Sequence, residues 1–129
     1  MNLGNVGFAV ALPSASRASA ADGAAIDLAS TVEGQHTGFL GAGPGGRSFT
    51  AIMSVGAVGT TMDVNFQYSA DGTTGWTDIP GGAFTTVEDA VTEERIDFVS
   101  PERYVRCRSH TQTGTYVFGV ILLGQQRYS

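Results

Sequence analysis

The chain has 129 residues, enough for one domain whose core buries roughly two-thirds of the surface an unfolded chain exposes. Hydrophobic residues make up 42% and charged residues 15%, which excludes a disordered acidic tail. A net charge of −5 and a pI near 4.7 exclude a general attraction to phosphate backbones, so no nucleic-acid partner is expected.

Residues 1–21 hold an apolar run at 6–12 and an Ala18-Ser19-Ala20 triplet of the kind a signal peptidase cleaves. No basic residue precedes the run and Gly7 interrupts it, so a leader is not expected. The expectation is an extended N-terminal arm over residues 1–22, with Val6, Phe8, Val10 and Leu12 as apolar anchors on a partner. Nowhere does the chain approach the roughly 18–20 continuous apolar residues of a membrane-spanning helix, so no membrane partner is expected. Gly clusters and the lack of a 3.6-residue period up to Arg47 argue for extended pieces and loops rather than helix. A sandwich domain is expected over 23–129, with a Gly-rich excursion at 31–46 carrying Phe39, and with Arg47 at its end, as further candidate partner contacts.

Beyond Arg47 the pattern alternates with period 2, as strands with one face in a core do. Phe49, Ala51, Met53 and Val55 share one face of the first such strand. Met62, Val64, Phe66 and Tyr68 alternate with Asp63, Asn65 and Gln67 in the next, and Ala70-Asp71-Gly72 supplies turn chemistry. Residues 76–79 are predicted to run back as a strand that Pro80-Gly81-Gly82 breaks, followed by a short extended piece at 83–87 and an acidic stretch at 88–94. Ile96 and Phe98 mark another strand. Val105 and Cys107 then face the core while Tyr104, Arg106 and Arg108 face away. Residues 115–123 are apolar on both faces, as in a central strand covered on two sides or shielded by a neighbouring subunit. Short strands at intervals of about ten residues, with Gly and Pro turns, predict an all-β fold: a single jelly-roll-like β-sandwich with structural core residues Trp76, Phe66, Val105 and Phe118.

No catalytic constellation is expected. Gly41-x-x-x-x-Gly46-Arg47-Ser48 has the spacing of a phosphate-cradling loop with Arg in place of Lys, but residues 49–55 read as strand, where such a loop needs a helix. Ser69, Asp71 and Trp76 resemble the Asp-box turn of sialidase-type propellers, yet the Gly and Thr of that motif are displaced and it occurs once. Packing over the sandwich is the favoured role for Trp76, worth about 3–5 kcal/mol. Cys107, the single cysteine, excludes an intrachain disulfide, and it should face away from His110, three residues on. His36 and His110 sit alone in polar stretches, and Asp63, Asp71 and Asp78 match no calcium loop. No metal or other cofactor is therefore expected. Glu93, Glu94 and Asp97 are the nearest approach to paired carboxylates and read as a solvated edge.

The segments Met62-Asp-Val-Asn-Phe-Gln-Tyr-Ser69, Asp71-Gly, Trp76-Thr-Asp-Ile79, Gly82-Ala-Phe-Thr85, Arg103-Tyr-Val-Arg106 and Val117-Phe-Gly-Val-Ile-Leu-Leu-Gly124 together resemble small tailed-phage capsid decoration, or cement, proteins of β-sandwich type. The resemblance covers about half of the chain. It implies a non-enzymatic virion protein, made in the host cytoplasm, that binds the major capsid protein on the outer surface of the shell and stabilises it as a trimer or dimer. A carbohydrate-binding module, with Trp76, Tyr104 and Tyr116 as the aromatic platform, or a head-tail or fibre component, is the alternative.

Overall fold

A computed structural model of the chain describes residues 6–27 and 48–125. Among these residues it is all-β, with two antiparallel sheets packed face to face. The first sheet has the order β1 (Val6–Arg17), β9 (Tyr116–Gln125), β4 (Ser48–Ala57), β7 (Thr92–Val99). The second runs β2 (Ala21–Asp22), β8 (Tyr104–Thr113), β5 (Thr61–Ser69), β6 (Thr77–Ala83), with β3 (Ile26–Asp27) also paired to β8. The pairing is nested: β1 with β9, β2 and β3 with β8, β4 with β7, and β5 with β6. Two further ladders, β4 with β9 and β5 with β8, complete the sheets.

Alternation fills the space between the sheets. Phe49, Ala51, Met53 and Val55 from β4 meet Met62, Val64 and Phe66 from β5, all buried, along with Val105 and Cys107 of β8 and Tyr116, Phe118, Val120 and Leu122 of β9. Phe66 bridges the layers, its ring 4.8 Å from that of Phe98 in the opposite sheet and 6.4 Å from that of Phe84. The buried Tyr116 hydroxyl lies 3.2 Å from the Val87 carbonyl and 2.8 Å from the Glu88 carbonyl, tying the β6–β7 connection to the core.

Three sequence expectations need correction. Residues 6–22 are part of the sandwich: β1 pairs along β9 from Val6↔Gln125 to Arg17↔Tyr116, and β2 pairs with β8. Ala9, Ala11 and Leu12 are buried in the common core, so the boundary at residue 22 separates no arm from a domain. The chain passes from β2 to β3 through Gly23, whose N–H donates to the Cys107 carbonyl at 2.6 Å; a Cβ there would collide with the carbonyls of Ala11 and Cys107. Secondly, Pro80-Gly81-Gly82 does not end a strand, since β6 runs through it to Ala83. This is an edge strand, where a missing N–H costs no ladder bond; the register shifts between Asn65 and Gln67, and Gly81 takes a φ of 78°. Thirdly, Trp76 is not a core residue. It precedes β6 half-buried, its ring stacked under the Arg106 guanidinium at 4.6 Å.

Candidate functional site

The outward positions of the second sheet form one connected polar surface. Cys107 and Phe66 face inward as register partners, so the flanking pairs Asn65↔Arg108 and Gln67↔Arg106 face outward. The Arg106 Nε donates to Gln67 Oε1 at 3.0 Å and the Arg108 Nε to Asn65 Oδ1 at 3.1 Å. With their oxygens engaged, both amides turn their NH₂ groups to Asp78 on β6: Asn65 Nδ2 at 2.9 Å and Gln67 Nε2 at 3.0 Å from its Oδ1, with Arg108 Nη2 at 3.3 Å. The Gln67 amide foremost holds the Asp78 carboxyl below the usual carboxylate range; burial opposes it, and the Asn65 amide and the Arg108 charge add to the lowering. The two amides are almost completely covered, at 5% and 6% exposure, although they lie on the outer side of the sheet.

Across the strand, Asp22 Oδ2 of β2 lies 3.6 Å from Arg106 Nη1. Ala20, Ala21 and Asp22 face Arg108, Ser109 and His110 across a shallow cleft of about 190 Å³. At the other end, the turn before β6 sets the position of Trp76. The Asp71 carboxylate accepts from the Thr73 and Thr74 amides at 2.9 and 2.8 Å and from the Thr74 and Ser69 hydroxyls. Those bonds, the Thr74 amide first, pull its pKa far below the usual value. Gly72 and Gly75 take positive φ, and Gly72 lies so close to the Tyr104 ring that a Cβ would clash.

The outer face of the first sheet carries an aliphatic band instead, bordered by the exposed Glu93, Arg95 and Asp97 of β7. Val10 pairs with Ile121 and Ile121 with Ile52, side by side across β1, β9 and β4; Val10 is 52% and Ile121 37% exposed. Leu123 lies half-buried two residues along.

Of the expected partner contacts, only Val10 is an exposed side chain among those described; Leu12 is buried in the core at 3% exposure. The side chains of Val6 and Phe8, and the whole of Phe39 and Arg47, lie outside the described residues, as do the 31–46 excursion, His36 and residues 41–47 of the phosphate-loop-like spacing. Phe66, Val105 and Phe118 are buried, at 1% exposure or less. Tyr116 is fully buried and cannot serve an aromatic platform, whereas Trp76 and Tyr104 are half-buried on the second sheet.

The carboxylates weighed as catalytic or metal-binding do not converge. Glu94 faces the Thr85 amide and hydroxyl, while Asp97, three residues on, accepts from Thr50 and pairs with Arg95. Asp63 accepts from the Thr86 hydroxyl, Asp71 is held within its turn and Asp78 by the amides. Among the described residues no group of three or more His, Cys, Asp or Glu side chains is placed to hold a metal ion. Burial pushes the Cys107 thiol up, far from nucleophilic range, and His110 faces the opposite side of β8. The outward ladder escaped sequence reasoning, although the polar alternation at 63, 65, 67 and 104, 106, 108, 110 was its signal. Compared with protein-family models, curated proteins and solved structures, the chain matches none.

Proposed function

We propose that the chain is a structural virion protein, built as a jelly roll, that binds the outside of a tailed-phage capsid and stabilises the shell. The nested pairing supports the jelly roll. With β2 and β3 taken as two pieces of one strand interrupted at Gly23, the chain is a long hairpin rolled into two sheets, an arrangement found in viral capsid and lectin domains. The residues that carry the resemblance to cement proteins lie mostly on β5, β6, β8 and β9, the framework of that roll.

Fold alone does not assign a role. The observation that carries the assignment is the aliphatic band Val10, Ile121 and Ile52 on the outer face of the first sheet, with Val10 and Ile121 exposed and Ile52 half-buried, whereas the outer face of the second sheet carries the polar ladder of Asn65, Gln67, Asp78, Arg106 and Arg108. Neighbouring apolar residues left in water on a rigid sheet suit a surface that another protein covers. We assign the major capsid protein as that partner, with dimers or trimers of the chain matched to the lattice, no catalytic role and no cofactor. Many modest contacts repeated over a shell then add up to strong retention.

The test is cosedimentation with capsids assembled without this protein. The wild-type chain should pellet at a fixed ratio to the major capsid protein, and Ile121→Asp should remain in the supernatant while keeping its far-UV circular dichroism. A wild-type chain that stays soluble beside intact capsids overturns the proposal.

A further inference from the structure

We infer that the outer face of the second sheet binds a neutral saccharide, with Trp76 and the Arg106–Asp22 pair at its centre and the cleft beside Arg108 and His110 receiving an adjoining ring.

Four observations combine here. The first is the supply of unused donors and acceptors. Among the described residues the η nitrogens of Arg106 make no hydrogen bond, nor does Nη1 of Arg108; the bonds to Asp78 all use Oδ1, leaving Oδ2, and Asp22 accepts none. A sugar hydroxyl both donates and accepts, so alternating guanidinium and carboxylate groups match a row of hydroxyls.

The second is rigidity. Both arginines are fixed through Nε by amides that are themselves fixed by Asp78, so little side-chain freedom remains to be lost on binding. The third is charge. Arg106 and Arg108 are balanced by Asp22 and Asp78 on a chain of net charge −5, which disfavours phosphate, sulfate or a carboxylate ligand and suits an uncharged one. The fourth is shape. Trp76 keeps part of its ring in solvent beside Arg106, offering an apolar surface to the C–H face of a pyranose, and the cleft of about 190 Å³ on the other side of Arg106 has room for a second ring.

This surface is separate from the aliphatic band of the first sheet, so the two proposals stand or fall independently. Trp76 is the only tryptophan, which makes its emission a reporter of this face alone. The experiment titrates the whole protein with lactose, maltotriose and chitotriose, with sodium sulfate as the anion control, and follows Trp76 fluorescence and saturation-transfer NMR of the sugar. At least one oligosaccharide should give a saturable response. Asp22→Ala, which removes a side chain making no hydrogen bond among the described residues, should weaken it about tenfold at unchanged thermal midpoint, and Ile121→Asp should leave it unchanged. Silence across the three sugars, a response to sulfate alone, or wild-type affinity in Asp22→Ala overturns the inference.

Discussion

Truncating two of the aromatic candidates for the core, Phe66 and Trp76, should separate them sharply. Phe66 is fully buried between the sheets with its ring against Phe98 and Phe84, so Phe66→Ala loses the transfer free energy of the ring and leaves an enclosed cavity. The cost is about 3–5 kcal/mol. Trp76 is the larger side chain, but it lies on the outer face of its sheet under Arg106. Its removal forfeits covered area and a cation–π contact of about 0.5–1 kcal/mol, while water fills the space and no cavity term arises, for a total of about 1–2 kcal/mol. Urea unfolding should be followed by far-UV circular dichroism, because Trp76→Ala removes the only fluorophore of its kind. With a slope of about 2 kcal/mol per molar urea, the midpoint should fall by about 2 M in Phe66→Ala and by less than about 1 M in Trp76→Ala. A Trp76→Ala shift as large as that of Phe66→Ala would refute the placement of Trp76 outside the core.

Cys107 is fully buried with its thiol pKa raised, so a thiol reagent should fail to label the native protein and should label it at the rate of global unfolding; fast labelling in native buffer counts against the core position. The Asp71 pKa is depressed in the folded state, so its stabilisation is present above the unfolded value of about 3.9 and is lost as pH falls through the folded one. A carboxyl NMR titration should therefore place Asp71 well below that value, and an ordinary midpoint would contradict the turn geometry. Tyr116→Phe removes a buried hydroxyl donor to the Val87 and Glu88 carbonyls and should cost about 1 kcal/mol in the same urea assay; no change would mean that the bond contributes nothing net.

The strands that could be read from the sequence were those whose inner face is large and apolar and whose outer face is small or polar. Met62 to Phe66 and Val105 to Cys107 meet that condition, Phe49 to Val55 meets it except at the outward Ile52, and the inward residues of all three lie where alternation put them. Residues 6–17 do not: Ala, Ser, Gly and Pro13 have weak strand preference, and only the ladder to β9 makes them a strand. Pro80 and Gly81 looked like a break because sequence does not reveal that β6 is an edge. Trp76 looked like core because size suggests burial, whereas its partner, Arg106, arrives from a strand about thirty residues later. The candidate site was illegible for the same reason. Asn65, Gln67, Arg106 and Arg108 read as four separate solvated residues, and only the β5–β8 register joins them.

The pairing of β1 with β9 also orders events during synthesis. Of the described strands, the first to leave the ribosome finds its hydrogen-bonding partner only in the last, and β9 lies between β1 and β4. Until β9 arrives, Ala9, Ala11 and Leu12 lack their neighbours and the first sheet has an open slot at its centre. Closing that slot requires the pairing of longest sequence separation among the described strands, the kind that makes β topologies slow to form. In a crowded assembly the same slot can accept β9 from a second nascent copy, so strand exchange between chains is the characteristic folding error expected of this architecture.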